Sequence, residues 1–300
     1  MEYARLGATG IDVSRIGFGG AAIGLTDYLG EFDPTDPATR AEVVRAVEAA
    51  LGGGINHFDT APGYGDGTGE QLLGDALAGV TTAGDHSVFV SSKVAPDVHS
   101  RDDLRRSVES SLRRLRRDRL DLLQIHGDSF SVEATDRILG PNGLASLLLD
   151  LKAEGVVGHV GFTSEDANDS VYRLIRSGAF DTMQICYNLL FQHPYEPSRP
   201  FGCMLAAEEA GLGVMTMRTA TSGTLQRWIR MVNPADDFDY TQALIQYVLS
   251  NPYVDVALVG MRTAAEVRAN LELADDHEGR IDLGALHGRY VRPTAIGRTP

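Results

Sequence analysis

Asp59, Tyr64, Lys93 and His126 are four titratable residues of complementary chemistry, spaced 5, 29 and 33 residues apart. A phenol with a reference pKa of about 10 is a poor acid at neutral pH. An ammonium beside it favours the phenolate and lowers that pKa. A carboxylate keeps the ammonium charged, and an imidazole orients a carbonyl oxygen or shares the proton. Brought together, the four would make a general acid aimed at a carbonyl. Taken singly, each has an ordinary reading: Asp as a turn or cap residue, His as a structural group, Tyr as packing. The choice of cation points the same way. Of the 27 basic residues only Lys93 and Lys152 are lysine. Where arginine is the default, a lysine marks a place for a compact point charge. No G-x-S-x-G and no His/Cys/Glu metal cluster competes, so no metal is expected.

These residues share one site only if the right elements position them. Strand signals run at Ile16-Gly17-Phe18, Ile55 to Phe58, Val88 to Val90, Leu122 to Ile125, Val156 to Phe162, Thr182 to Ile185, Gly213 to Met217 and Val256 to Val259. Between them lie helical patterns. Asp36-Pro37 caps one carrying Val43, Val47 and Leu51, while Ser100 to Asp103 and Thr263 to Glu266 read as capping boxes. Further helices are expected at Leu72 to Leu77, Leu104 to Leu115, Leu144 to Ala153, Val171 to Ile175, Met204 to Ala210 and Leu244 to Leu249. Eight alternating units in 300 residues predict an α/β fold, a single (β/α)8 TIM barrel over residues 1–300. Residues 1–20 read as an N-terminal β-hairpin and the first strand, and 277–300 as a polar tail. In such barrels the active site lies where strands end, at the C-terminal face. Asp59, Lys93 and His126 close the second, third and fourth strands, with Tyr64 in the loop after the second.

The net charge of −14 argues against nucleic acid or an anionic membrane as partner. The basic run Arg113 to Arg119 reads as a solvated helix end. Gly17-Phe18-Gly19-Gly20-Ala21-Ala22 matches a dinucleotide fingerprint, but Gly24, Gly30 and Pro34 interrupt the helix that fingerprint needs. It reads as a glycine-rich turn. Cys186 and Cys203 form no framework, which fits a reducing, cytoplasmic setting. Met1-Glu2-Tyr3 opens no signal peptide, and no apolar stretch approaches a membrane span.

The run Phe58-Asp59-Thr60-Ala61-Pro62-Gly63-Tyr64-Gly65, then Ser91-Ser92-Lys93, then Leu122-Leu123-Gln124-Ile125-His126 resembles the aldo-keto reductase superfamily. Gly161-Phe162-Thr163-Ser164, Gln184 and the segment from Gly260 to Asn270 extend the resemblance over nearly the whole chain. It implies an NADP(H)-dependent oxidoreductase that reduces an aldehyde or ketone to an alcohol. Tyr64 would be the proton donor, Lys93 and Asp59 would tune it, and His126 would orient the carbonyl oxygen. Thr163 and Ser164 stand where the family has a Ser-Asn pair on the nicotinamide carboxamide, and Gln184 matches the family's Gln there. Met217 takes the place of a stacking aromatic residue. Arg218, Thr219 and the Ser222-Gly223 turn match the loop that crosses the pyrophosphate. Gly19, Asp59, Gly260 and Asn270 complete the implied cofactor set. Arg262 would pair with a 2′-phosphate. Glu266 would repel that phosphate, bind a free ribose hydroxyl, or only complete its capping box.

NADP(H) is favoured, with NAD(H) as the alternative. Two other functions stay open: an NAD-dependent sugar or polyol dehydrogenase, and a cofactor-binding regulatory subunit with little turnover. The substrate is expected to be a small carbonyl or alcohol. Tyr28, Phe32, the Leu189-Leu190-Phe191 run and Trp228 are candidate apolar walls.

Overall fold

The chain opens with an antiparallel hairpin, β1 (Tyr3–Arg5) and β2 (Asp12–Ser14), with Tyr3 opposite Ser14. Eight parallel strands then close into a barrel, as the strand–helix alternation predicts. They are β3 (Ile16–Gly19), β4 (His57–Asp59), β5 (Phe89–Val94), β6 (Leu120–Ile125), β7 (Val157–Ser164), β8 (Thr182–Cys186), β9 (Gly213–Met217) and β10 (Val256–Gly260). Closure pairs β10 with β3, from Ala257 opposite Ile16 to Gly260 opposite Gly19. This computed structural model describes residues 1–80, 87–192, 202–283 and 285.

The surrounding helices are α1 (Ala21–Gly24), α2 (Pro37–Gly52), α3 (Thr68–Ala76), α4 (Arg101–Leu115), α5 (Val132–Leu139), α6 (Leu144–Ala153), α7 (Asp169–Arg176), α8 (Cys203–Glu209), α9 (Thr224–Val232), α10 (Thr241–Leu249) and α11 (Ala264–Asp275). Asp36 caps α2 by accepting from Thr39 N at 2.8 Å. The reciprocal box expected at Thr263 and Glu266 forms at the start of α11. At Ser100 only half of one forms. Asp103 N donates to Ser100 Oγ at 3.1 Å, while the Asp103 carboxylate accepts from the Ser100 hydroxyl. An Asp is one methylene shorter than the Glu of a full box. Three helices lack a sequence forecast. α1 is a single turn, α5 buries only Thr135 and Ile138, and α9 buries nothing, although Leu225, Trp228, Ile229 and Val232 give it an apolar stripe that the sequence carries openly. The expected tail begins tethered: Arg280 donates to Ala274 O at 3.2 Å and Leu283 is buried. Residues 284 and 286–300 of that tail lie outside the described ones.

Successive side chains on a strand face opposite sides. Phe58, Val90, Leu123, Ile125, Phe162 and Ile185 pack outward in the large core beneath the helices. Phe89, Leu122, Met215, Val256 and Leu258 form a separate core inside the barrel, sealed from below by Leu6 and Val13 of the hairpin region. The seal is close. A Cβ on Gly213 would lie 2.5 Å from Leu6 Cδ1, so only glycine leaves room for this stopper. The same period of two carries the polar residues inward. His57 and Asp59 share one side of β4, while Ser91 and Lys93 share one side of β5. The barrel is therefore apolar at its base and polar toward its C-terminal mouth.

At the base, four side chains repeat one device. Asn56 Oδ1 accepts from Ser14 N at 2.7 Å, and Asp121 Oδ2 from Val90 N at 2.8 Å. Asp181 Oδ2 accepts from Val160 N and Asp255 Oδ2 from Val214 N, both at 2.9 Å. Asp121, Asp181 and Asp255 each lie at or just before the start of one strand and accept from an amide of the strand before it, while Asn56, just before β4, accepts from the last residue of β2.

Candidate active site

Lys93 is 1% exposed and Asp59 3%. Two buried charges are tolerable only with close pairing and further hydrogen bonds, and both are present. Lys93 Nζ donates to Asp59 Oδ2 at 2.7 Å and to Thr60 O at 2.8 Å. Asp59 Oδ1 accepts from Ser91 Oγ at 2.9 Å and from Gln124 Nε2 at 3.4 Å. Gln124 Nε2 also donates to Gln184 Oε1 at 2.9 Å. His57 Nε2 lies 3.0 Å from Ser91 Oγ.

The loop after β4 carries Tyr64 over this pair. Its turn is held by Tyr64 N to Ala61 O at 3.1 Å and Gly69 N to Tyr64 O at 3.0 Å. The end of α1 presses against it: a Cβ on Gly24 would lie 2.7 Å from Tyr64 O. Lys93 Nζ is 5.1 Å from the Tyr64 ring centroid, and His126 stands edge-on to that ring at 5.7 Å. His126 N donates to Val94 O at 2.8 Å, which fixes its position at the end of β6.

Protonation follows from burial and charge. Burial raises the Tyr64 phenol above its ordinary value, and Lys93 only partly opposes this. The net direction is therefore opposite to the sequence expectation. The Lys93 charge is already paired with Asp59, so the desolvated phenol keeps its proton. Burial lowers Lys93, but Asp59 and Tyr64 outweigh it and hold the ammonium above its usual range. Burial, and then Lys93, push His126 down to about 4, so its ring is neutral at neutral pH.

Asp59, Tyr64 and His126 meet at a cleft of about 760 Å3, with Lys93 buried behind them. Gly19, Thr163, Gln184, Met217, Arg218, Thr219, Gly223, Gly260, Glu266 and Asn270 also line it. Two residues of the implied cofactor set do not. Ser164 turns away, its hydroxyl donating to Asp166 O at 2.9 Å and Asp128 O at 3.1 Å. Arg262 donates to Ala22 O at 2.9 Å and lays its guanidinium 4.0 Å from the Phe32 ring centroid. Glu266 completes its capping box and also lines the cleft. Its Oε2 accepts from Thr263 N at 3.0 Å. Of the expected apolar walls only Tyr28 faces the cleft. Trp228 is exposed on α9 away from the cleft, while Arg227 and Arg230, also exposed, line it. Leu189 and Phe191 are exposed, and Phe32 is covered by Arg262.

The loop from β9 to α9 is strained along the cleft wall. Arg218, Thr221 and Ser222 are non-glycine residues at φ of +56°, +59° and +49°. Such positions cost about 1 kcal/mol or more each and persist only where neighbours fix them. Arg218 pairs with Glu165, and the Tyr28 and Ser222 hydroxyls lie 2.9 Å apart. Sequence reasoning missed Ser91, His57 and Gln124. Counting by twos along the strands from Lys93, Asp59 and His126 would have found them. Among the described residues no group of three His, Cys, Asp or Glu could hold a metal ion, and no helix is long and apolar enough to cross a membrane.

Several known proteins resemble this chain in sequence and fold. The sequence pattern of the Aldo/keto reductase family matches residues 15–242. L-galactose dehydrogenase of Arabidopsis thaliana is 26% identical over 304 aligned residues, covering 93% of this chain and 89% of that protein. The solved holo form of an aldo-keto reductase from Bacillus halodurans superposes with a TM-score of 0.74 at 23% identity, covering 98% of this chain and 99% of its own. An aldo/keto reductase from Klebsiella pneumoniae, solved with NADP and acetate, superposes at 0.71 with 24% identity over 99% of both chains. A family match across three quarters of the chain, on a closed eight-stranded barrel, makes this protein a member of the aldo/keto reductase family of oxidoreductases.

Proposed function

We propose that the protein reduces a small aldehyde or ketone with NADP(H), and that Tyr64 is the general acid. The observation that carries this reading is the buried Lys93–Asp59 pair beneath Tyr64, with neutral His126 at the same rim of the cleft. The cleft fits a dinucleotide. Gln124 donates to Gln184 Oε1, which orients the Gln184 amide at the cleft, with its Nε2 available to donate to a carboxamide oxygen. Arg218, Arg227 and Arg230 offer partners to phosphates farther along the wall.

The chemistry the cofactor supplies when bound is hydride. Everything else falls to the chain. Tyr64 holds its proton at Oη until charge develops on the carbonyl oxygen, then gives it up. The Lys93 ammonium stabilises the phenolate left behind, and Asp59 fixes that ammonium below the ring. Neutral His126 orients the carbonyl oxygen without adding a charge. Cys186 and Cys203 are buried and form no disulfide, which suits the cytoplasmic setting we assign. Glu266 supports one competing reading, NAD with a sugar or polyol, because its carboxylate would repel a 2′-phosphate.

Titration with NADPH and with NADH, followed by intrinsic fluorescence, separates the two readings. We expect tighter NADPH binding, and the reverse order would favour the NAD dehydrogenase. Tyr64→Phe should lower kcat about 100-fold or more while NADPH still binds. Near-normal turnover in that variant would remove Tyr64 from the mechanism.

A further inference from the structure

We infer that His57 and Ser91 form a proton-ordered support beneath the Lys93–Asp59 pair, and that both are positioning residues for the chemistry at Tyr64. The inference rests on the reductase reading of the site. It starts from hydrogen-bond arithmetic. Ser91 has one hydroxyl proton and two neighbours, Asp59 Oδ1 at 2.9 Å and His57 Nε2 at 3.0 Å. Asp59 is bound to an ammonium and can only accept. The Ser91 proton therefore points to Asp59, and His57 Nε2 must donate to Ser91 Oγ.

The rest of the ring agrees. His57 is completely buried, and burial pushes it down to about 4, so it carries a single proton at neutral pH. That proton is committed to Nε2, which leaves Nδ1 as a bare lone pair. Nδ1 has no partner among the described residues. It faces the backbone of Gly17, where a Cβ would lie 3.5 Å away, and its ring stacks edge-on to Phe89 at 5.1 Å. The imidazole is thus wedged between the apolar stopper and the polar layer. Its one polar function directed upward is a donor.

The direction of this relay matters for Asp59. His57 donates to Ser91, Ser91 donates to Asp59, and Lys93 donates to the other carboxylate oxygen. With Oδ1 held from below, Oδ2 is fixed toward Nζ. Without Ser91, Oδ1 keeps only the longer contact from Gln124, at 3.4 Å. The carboxylate could then rotate, and Nζ would no longer be held under the Tyr64 ring. Neither residue reaches the cleft, so any effect on turnover must pass through Asp59.

Two measurements test this. The first needs no activity: spectra of protein labelled with 15N-histidine read the tautomer of each ring. We expect His57 as the neutral Nε2–H tautomer from pH 8 to pH 5. An Nδ1–H tautomer, or a charged ring at pH 6, overturns the inference even if the reductase reading stands. The second is kinetic, with NADPH and 4-nitrobenzaldehyde. Ser91→Ala should lower kcat about tenfold, with KM and NADPH affinity within about twofold, as for a charge-assisted hydrogen bond lost in part. His57→Gln keeps an N–H near the Nε2 position and should retain most of kcat, whereas His57→Phe should fall with Ser91→Ala. Unchanged kcat in Ser91→Ala, or equal loss in both His57 variants, overturns the positioning role. Should Ser91→Ala fold poorly, the two His57 variants still decide. Normal turnover in Tyr64→Phe would instead fault the reductase reading and leave the spectroscopic test intact.

Discussion

His126 shows how burial changes what pH can do to a residue. An ordinary imidazole titrates at about 6.5. Burial and the Lys93 charge bring this one to about 4, so it stays neutral across the physiological range. The profile of kcat/KM against pH should show no inflection near 6.5 and no loss from this group until pH falls toward 4. A clear acid limb centred on 6.5 would mean that His126 is solvated in the working enzyme. The four reactive types were legible because each ends a strand or starts the following loop, and that much is a matter of counting. Side-chain direction was less so. Ser164 follows Thr163 on β7, so the strand's period of two faces it away from the cleft, toward the carbonyls of Asp128 and Asp166, although the resemblance implied a cofactor contact. Arg262 is drawn off by Phe32 and Ala22 O, partners more than 200 residues away in sequence. The net state of Tyr64 was beyond reach as well. Proximity to a lysine is readable from spacing, but the depth of burial that outweighs it is not.

Elements were read well where periodicity was strong and poorly where a helix buries little. β9 matches its forecast at both ends, Gly213–Met217, and α6 likewise at Leu144–Ala153. α9 carries apolar residues at helical spacing, Leu225, Trp228, Ile229 and Val232, yet buries none of them, and it follows directly on the strained loop. The four side chains at strand starts were also unread, since an Asp before a strand resembles any turn residue. They are not equivalent. Burial opposes Asp181, but His159 and Lys152 hold it down at about 2. Burial pushes Asp255 up to about 6, against hydrogen bonds from Val214 and Gly7. A carboxyl whose folded pKa lies above its unfolded value favours folding when protonated. Asp255 therefore weakens the fold above pH 6 and ceases to do so as pH falls toward 4. Asn56 fills the same role with an amide. Asp255→Asn should thus stabilise the protein by about 1–2 kcal/mol at pH 8 and hardly at all at pH 4. Denaturant midpoints at the two pH values measure this, and a loss at pH 8 would show that the charge itself is needed, for instance by Arg15.

For the molecule as a whole, the barrel and its order follow from eight alternating units, but the way its base is shut does not. The sequence predicts a hairpin, and nothing in Tyr3 to Ile16 says where its apolar residues go. The fold sends Leu6 and Val13 into the barrel axis, against Phe89 and Met215. Leu6→Ala should cost about 2–5 kcal/mol, as for a filled core site that cannot collapse, read as a lower unfolding midpoint. A change within 0.5 kcal/mol would mean the stopper is dispensable. With that stopper in place the barrel is a flask with one neck. Among the described residues, Ser91, His57 and Gln124 are buried between that stopper and the cleft, so their labile protons are expected to exchange by way of the cleft. Whatever sits in the cleft corks the flask. Their deuterium exchange then slows in step with occupancy, which gives the site a clock that runs without turnover.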